Sequence, residues 1–302
     1  MKIFRFALLL AVFLMFTESA GARAGRLTSP FESDVARAVE REQAHKDIAK
    51  ENSNLRILGG ITPHHGLALD MITRFYGQIS SGAIRRVWLL SPDHFKRAGN
   101  YAAVCGDDWL AAGRTLAADA VAKSGFSNMS IVEVNSRLFA DEHGITIHIP
   151  LIARYFPNAT IVPMVLKSDT PDIVLLTLKN YMLGVMGEGD LVILSMDMSH
   201  YKTPEEMKAE DERSLEALTN LEPMKTDRID IDARRAASLV LRLFKDMGAE
   251  RGEVMERMDS SDIMGYKLDP KSGTSYATII FKCRAGAVVP PLCEYSTKER
   301  KS

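Results

Sequence analysis

Leu191-Val192-Ile193-Leu194-Ser195-Met196-Asp197-Met198-Ser199-His200-Tyr201 starts as four apolar residues in a row and then breaks into Ser, Asp and His. A short continuous apolar run, rather than an alternating one, fits a strand buried on both faces by helices. In open α/β sheets ligands bind beyond the carboxyl ends of such strands, where this polar stretch falls. Two residues further on, Thr203-Pro204-Glu205-Glu206 offers a hydroxyl cap, a proline at the first helical position and acids facing the helix dipole. Strand, polar loop and helix thus follow one another here, the unit from which α/β proteins are built.

The same grammar extends in both directions. Short apolar runs predict strands over Ile57 to Ile61, Val87 to Leu90, Tyr101 to Cys105, Ile131 to Val134, Thr160 to Val165, Leu191 to Leu194 and Tyr276 to Phe281. Helices are expected over Phe31 to Asn52, Leu67 to Ile79, His148 to Tyr155, Pro171 to Met186, Pro204 to Leu218 and Asp232 to Met247. Alternation along the whole chain argues for an α/β fold, a single three-layer α/β/α domain around a mostly parallel or mixed central sheet. That domain is placed at 55–284, after an N-terminal helical segment at 25–54 and before an irregular tail at 285–302 that carries Pro290 and Pro291.

At the start, Lys2 and Arg5 precede an apolar run from Phe6 to Phe16 and the small-residue ending Ala22-Arg23-Ala24. This reads as a signal peptide over 1–24, so the protein is expected to be exported, either periplasmic or secreted. The run is shorter than the roughly 20 residues needed to cross a bilayer, and no membrane span is expected after cleavage. With 38 basic and 39 acidic residues the formal net charge is -1, which gives no field favouring nucleic acid. Of the three cysteines, Cys283 and Cys293 are near enough to close a small loop in an oxidising compartment, while Cys105 reads as a small buried hydrophobe.

Four segments carry the chemistry: Ile61-Thr62-Pro63-His64-His65-Gly66, Leu89-Leu90-Ser91-Pro92-Asp93-His94, Asp141-Glu142-His143-Gly144, and the stretch ending in His200-Tyr201. Of the seven histidines, all but His45 fall in or beside them. Two imidazoles and a carboxylate with open positions form a familiar iron(II) site, and His64 and His94 are placed to supply the imidazoles. Plainer readings stand beside this one. Asp141-Glu142-His143 fits a solvated turn, Asp197 fits a cap on backbone donors, His65 can point away from His64, and His148 can serve only to pair with a carboxylate. The chain has no nucleophile elbow, Walker loop or dinucleotide fingerprint, which counts against hydrolase, kinase and dehydrogenase readings.

Taken in order, Thr62-Pro63-His64-His65-Gly66, Leu90-Ser91-Pro92-Asp93-His94, Glu142-His143-Gly144-Ile145 through Leu151, Ile161-Val162-Pro163-Met164 and Ser195 to Tyr201 resemble the Memo family, also called AmmeMemoRadiSam system protein B. The resemblance runs from about Leu58 to Phe281. It implies a fold similar to class III extradiol dioxygenases, in which two histidines and a carboxylate hold non-haem iron and a further histidine is the acid/base. On that basis His64 and His94 are the metal histidines, and His200, Asp197 and His143 are the candidate catalytic residues. His200 would be the proton carrier, oriented by Asp197 or Asp141, and His143 a pocket residue of open role. The family closes its metal site with a cysteine near the start of a late helix. Here the corresponding segment, Asp227 to Ala237, holds Asp230 and Asp232 instead. Either carboxylate would give a harder ligand set, suited to iron or manganese rather than copper(I). Phe95 and Thr146 also depart from the family pattern. Two functions remain open: a metal-dependent dioxygenase-like enzyme, or a non-catalytic protein using the same pocket for a small molecule or peptide. The family name also links such proteins to AMMECR-like and radical SAM partners, a link that export makes doubtful.

Overall fold

The computed structural model describes residues 26–44, 54–80, 83–266 and 272–284. The signal segment, the C-terminal tail with Cys293, and the end of the expected first helix beyond Ala44 lie outside them. In chain order the elements are β1 (Arg26–Thr28), α1 (Glu32–Ala44), β2 (Leu55–Thr62), α2 (Leu69–Ile79), β3 (Arg86–Pro92), β4 (Ala102–Val104), β5 (Asp108–Ala111) and β6 (Arg114–Leu116). Then come α3 (Ala120–Ser127), β7 (Val132–Val134), the one-turn α4 (His143–Thr146), α5 (Ile149–Tyr155), β8 (Thr160–Leu166), α6 (Asp172–Val185), β9 (Asp190–Ser195) and β10 (His200–Lys202). Last are α7 (Pro204–Thr219), α8 (Arg234–Asp246), β11 (Gly252–Asp259), α9 (Ser260–Met264) and β12 (Gly273–Arg284).

The main sheet is mixed, in the order β10-β12-β2-β9-β3-β8-β4-β7, with β11 also paired to β12. Its centre, β2-β9-β3-β8, is parallel throughout. Along these strands successive side chains enter two separate cores. Val87, Leu89, Leu191 and Ile193 pack in one core with Phe75, Tyr76 and Ile152, while Trp88, Leu90, Val192 and Leu194 pack in the other with Leu175, Leu239 and Phe244. Helices therefore cover both faces, α1, α2 and α5 on one and α6, α7 and α8 on the other, which is why the apolar runs are continuous. The three-layer α/β fold read from the sequence is the fold observed. Each fully buried aliphatic side chain in these layers contributes roughly 1.5–3 kcal/mol.

In β2, Gly59 and Gly60 let the chain pass between close neighbours. Gly59 has φ 146°, and a Cβ there would lie 1.8 Å from the Val192 carbonyl oxygen; at Gly60 it would lie 2.2 Å from that of Ile279. The start of α7 is built as the sequence suggested, with Thr203 and Glu206 forming a reciprocal capping box ahead of Pro204. Cys105 is buried directly after β4. Several elements were not anticipated: α3, the small sheet β1-β5-β6, and the edge strand β11, whose Gly-Glu-Val-Met-Glu-Arg-Met-Asp sequence has little alternation and pairs because the long β12 offers it a full ladder.

Candidate metal centre

Strand β9 lies between β2 and β3, with Thr62 opposite Ser195 and Leu90 opposite Leu194, so the three carboxyl ends are level. His64, His94 and Asp197 each follow closely after one of these strands, and Asp232 sits just before α8. The topology thus gathers residues far apart in sequence at the end of the sheet where α/β proteins bind ligands. The rings of His64 and His94 are 4.7 Å apart between centroids, and His143 lies 4.0 Å from His94 and 5.1 Å from His64.

His64 is fixed from three sides. Its backbone N–H donates to Asp197 Oδ1 at 3.0 Å, its Nδ1 contacts Ser195 Oγ at 3.0 Å, and its Nε2 is 3.6 Å from Asp197 Oδ2 and 3.1 Å from Asp232 Oδ2. The ring is buried. Burial opposes its protonation, but the carboxylates of Asp197 and Asp232 outweigh that and its pKa is raised. For Asp232 the balance mirrors this: burial opposes its charge, and the imidazoles of His64 and His94 nevertheless hold its pKa well below the usual carboxylate range.

His94 is oriented by Glu142. A carboxylate only accepts, so the 2.6 Å contact to Glu142 Oε1 makes His94 Nδ1 the donor and turns Nε2 toward Asp232, 3.7 Å from Oδ2. Glu142 also accepts from the backbone N–H groups of His94 and Gly144, capping α4. Burial lowers the His94 pKa, yet the nearby carboxylates of Asp232 and Glu142 dominate and raise it to about 9. His143, packed on that cationic ring, goes the other way: burial and the charges of His94 and His64 lower it to about 4. Gly144 makes room for this arrangement, since a Cβ there would fall 2.0 Å from Ser91 Oγ and 3.1 Å from His94 Cε1.

The other expected residues take varied places. His200 donates from Nδ1 to the Met198 carbonyl at 2.9 Å and keeps Nε2 3.9 Å from Asp197 Oδ2, so it borders the cluster. Asp230 is drawn away to Lys202 Nζ at 2.7 Å, leaving Asp232 as the acid that faces the two histidines. Asp141 forms a two-pronged pair with Arg97 at the surface and so does not orient His200. His65 accepts from the Leu67 N–H and stacks on Tyr276. Among the described residues His148 has no carboxylate partner: it is wholly buried beside Tyr76, and burial lowers its pKa to about 3. Glu142 and Ser195 carry roles the sequence did not assign, although both lie inside the motifs quoted for it.

Two sets of donors are close enough to share an ion, His64 with His94 and His143, and His64 with Asp197 and Asp232, the ligand atoms within each lying inside 4.8 Å of one another. Although His64 Nε2 approaches it closely, Asp232 Oδ2 is buried with no ring N–H directed along a hydrogen bond to it. Two donors about 2.1 Å from one ion stand about 3.0–3.4 Å apart; the 3.1 Å from Oδ2 to His64 Nε2 falls in that range, while His94 Nε2, at 3.7 Å, would have to move closer to share the ion.

A mixed sheet whose parallel central strands gather histidines around a carboxylate at their carboxyl ends defines an α/β protein with a candidate metal centre. The chain belongs to the Memo-like protein family, whose model matches residues 23–280. It is similar to a MEMO1 family protein of Nitrosopumilus maritimus, 23% identical over 239 residues, covering 76% of this chain and 86% of that one. A second, from Ignicoccus hospitalis, is 24% identical over 237 residues, with coverages of 74% and 82%. A third, MEMO1 family protein PAE0818 of Pyrobaculum aerophilum, is 24% identical over 262 residues and covers 81% and 90%. Among solved structures, the uncharacterized protein JW3007 of Escherichia coli K12 aligns with a TM-score of 0.46 at 10% identity, over 74% of this chain and 99% of its own.

Proposed function

We propose that this chain is an exported, metal-dependent oxidoreductase of the extradiol-dioxygenase-like type, in which His64, His94 and Asp232 hold iron(II) or manganese(II). The observation that carries the reading is the buried, undirected Asp232 Oδ2 between two imidazole nitrogens whose opposite sides are anchored by Ser195 and Glu142. Outer partners of this kind fix ring orientation in metal sites. An aspartate with two imidazoles is a hard set, which favours iron or manganese over copper(I). Such an ion supplies open positions at which dioxygen and a chelating substrate are brought together.

The remaining residues handle protons. His200 donates from Nδ1 to the Met198 carbonyl, which leaves Nε2 as the nitrogen that can exchange a proton with a substrate hydroxyl. His143 stays neutral at pH 7 and offers a second polar, uncharged ring beside His94. The N-terminal signal pattern supports placement outside the cytoplasm, and no described helix is long and apolar enough to cross a membrane. Ligands are expected to be small molecules or peptide ends rather than nucleic acid.

Metal analysis of protein purified without tag-borne metal, followed by oxygen-uptake assays on iron-loaded protein, tests the proposal. His64→Ala and His94→Ala should abolish both metal content and oxygen uptake. Less than about a tenth of an equivalent of iron or manganese after reconstitution overturns it. Retained small-molecule binding without metal would then favour a binding protein on the same fold.

A further inference from the structure

Beside the candidate metal centre lies a cavity of about 140 Å³ whose lining includes His94, Asp232, Lys96, Lys167 and Arg234. This is smaller than the roughly 300–1,000 Å³ of pockets that enclose drug-sized ligands, so it fits one end of a larger molecule. Four basic residues, Lys96, Lys167, Arg234 and Arg235, share its wall, and one of them is paired with acids. Arg235, also in the wall, is tied to Asp172, Asp227 and the Thr170 carbonyl, and Arg86, Arg154, Lys202 and Arg257 likewise have acidic partners. Among the described residues Lys96, Lys167 and Arg234 have no acidic partner.

The acids in the same wall are already engaged. Asp93 spends both oxygens on the backbone N–H groups of Arg97 and Ala98, and Asp232 faces the imidazoles. The Asp93 turn also holds Lys96 in the left-handed region at φ 53°, a conformation that a lysine adopts only when its surroundings impose it. Three cations without partners around a small cavity, in a chain of net charge -1, concentrate positive potential at one point.

We propose that this cavity is an oxyanion subsite: the substrate of the candidate metal centre carries a carboxylate or phosphate group that Lys96, Lys167 and Arg234 hold while the rest of the molecule lies against His94 and Asp232. The substrate assignment rests on the metal-site reading; the anion binding itself does not. Lysine and arginine are the residues that take such groups, lysine as a point charge and arginine through its planar fork. The acid group so held fixes the distance and direction at which the reacting part meets the metal centre.

The test uses the full chain, metal-free and Mn(II)-loaded, titrated with inorganic phosphate and, separately, with benzoate. Wild type should bind at least one probe saturably, and more weakly as salt is raised. The stronger probe identifies phosphate or carboxylate as the group held. A triple variant, Lys96→Gly, Lys167→Ala and Arg234→Ala, with glycine chosen to suit the left-handed backbone, should weaken probe binding about tenfold or more. Its Mn(II) affinity should be unchanged or slightly raised. Equal probe binding by wild type and the triple variant, or no saturable binding of either probe, overturns the proposal. If the probes bind and depend on the three cations while Mn(II) does not bind, the anion subsite stands and the metal reading fails.

Discussion

Metal uptake by this centre should be driven by pH through His94. In the metal-free protein the Glu142 and Asp232 carboxylates raise its pKa from 6.5 to about 9. Because Nδ1 donates to Glu142, the proton that has to leave before a metal can bind is the one on Nε2. At pH 7 only about one His94 in a hundred has lost it, so metal affinity should climb about tenfold per pH unit from pH 6.5 and level off near pH 9. His64, also raised, steepens the rise. The stability of the metal-free protein should move the other way. A raised histidine pKa stabilises the fold fully below pH 6.5 and is lost as pH rises through 9, an effect of up to about 3 kcal/mol. Calorimetric Mn(II) titrations in buffers of different ionisation heat measure both the affinity and the proton released. Affinity that stays flat between pH 6.5 and 9, with no proton released, would refute the assigned role of His94.

Glu142→Gln should cost about 10–100-fold in metal affinity, as loss of an outer-shell partner does, and NMR titration should show the His94 pKa falling. Asp232→Cys should exchange a hard ligand for a soft one and shift preference from manganese toward zinc, read by competitive metal loading. His200→Asn should remove oxygen uptake while Mn(II) affinity stays near wild type, because its Nε2 borders the cluster without entering the proposed ligand set. Gly59→Ala should lower stability by more than about 1 kcal/mol in thermal or urea unfolding, since its Cβ would meet the Val192 carbonyl at 1.8 Å.

Where local signals were strong, the sequence was readable. β3 and β9 declare themselves as unbroken apolar runs because both faces are covered, and α7 announces its start through Thr203 and Glu206. β11 does not: its charged residues form a strand only through the ladder that β12 provides. In the site, His64 and His94 could be found because loops just past buried strands are where ligands are met. Asp230 and Asp232 could not be separated, being two residues apart with one chemistry. The difference arises in three dimensions, where Lys202 takes one and the imidazoles face the other. Glu142 was hidden for a related reason. A charged residue in a polar run reads as solvated, yet it is wholly buried by its bonds to His94 and Gly144.

The candidate ligands stand at positions 64, 94 and 232, after two different strands and before a helix that follows most of the sheet in sequence. No shorter piece of the chain contains the set, so a growing or unfolded chain has nowhere to hold the ion until α8 has docked on β3 and β9. Metal loading at the proposed ligand set would therefore be a late event, one that follows the packing of α8 on the sheet. If the chain crosses a membrane unfolded, the compartment where folding ends, rather than the one where synthesis begins, decides which metal it meets.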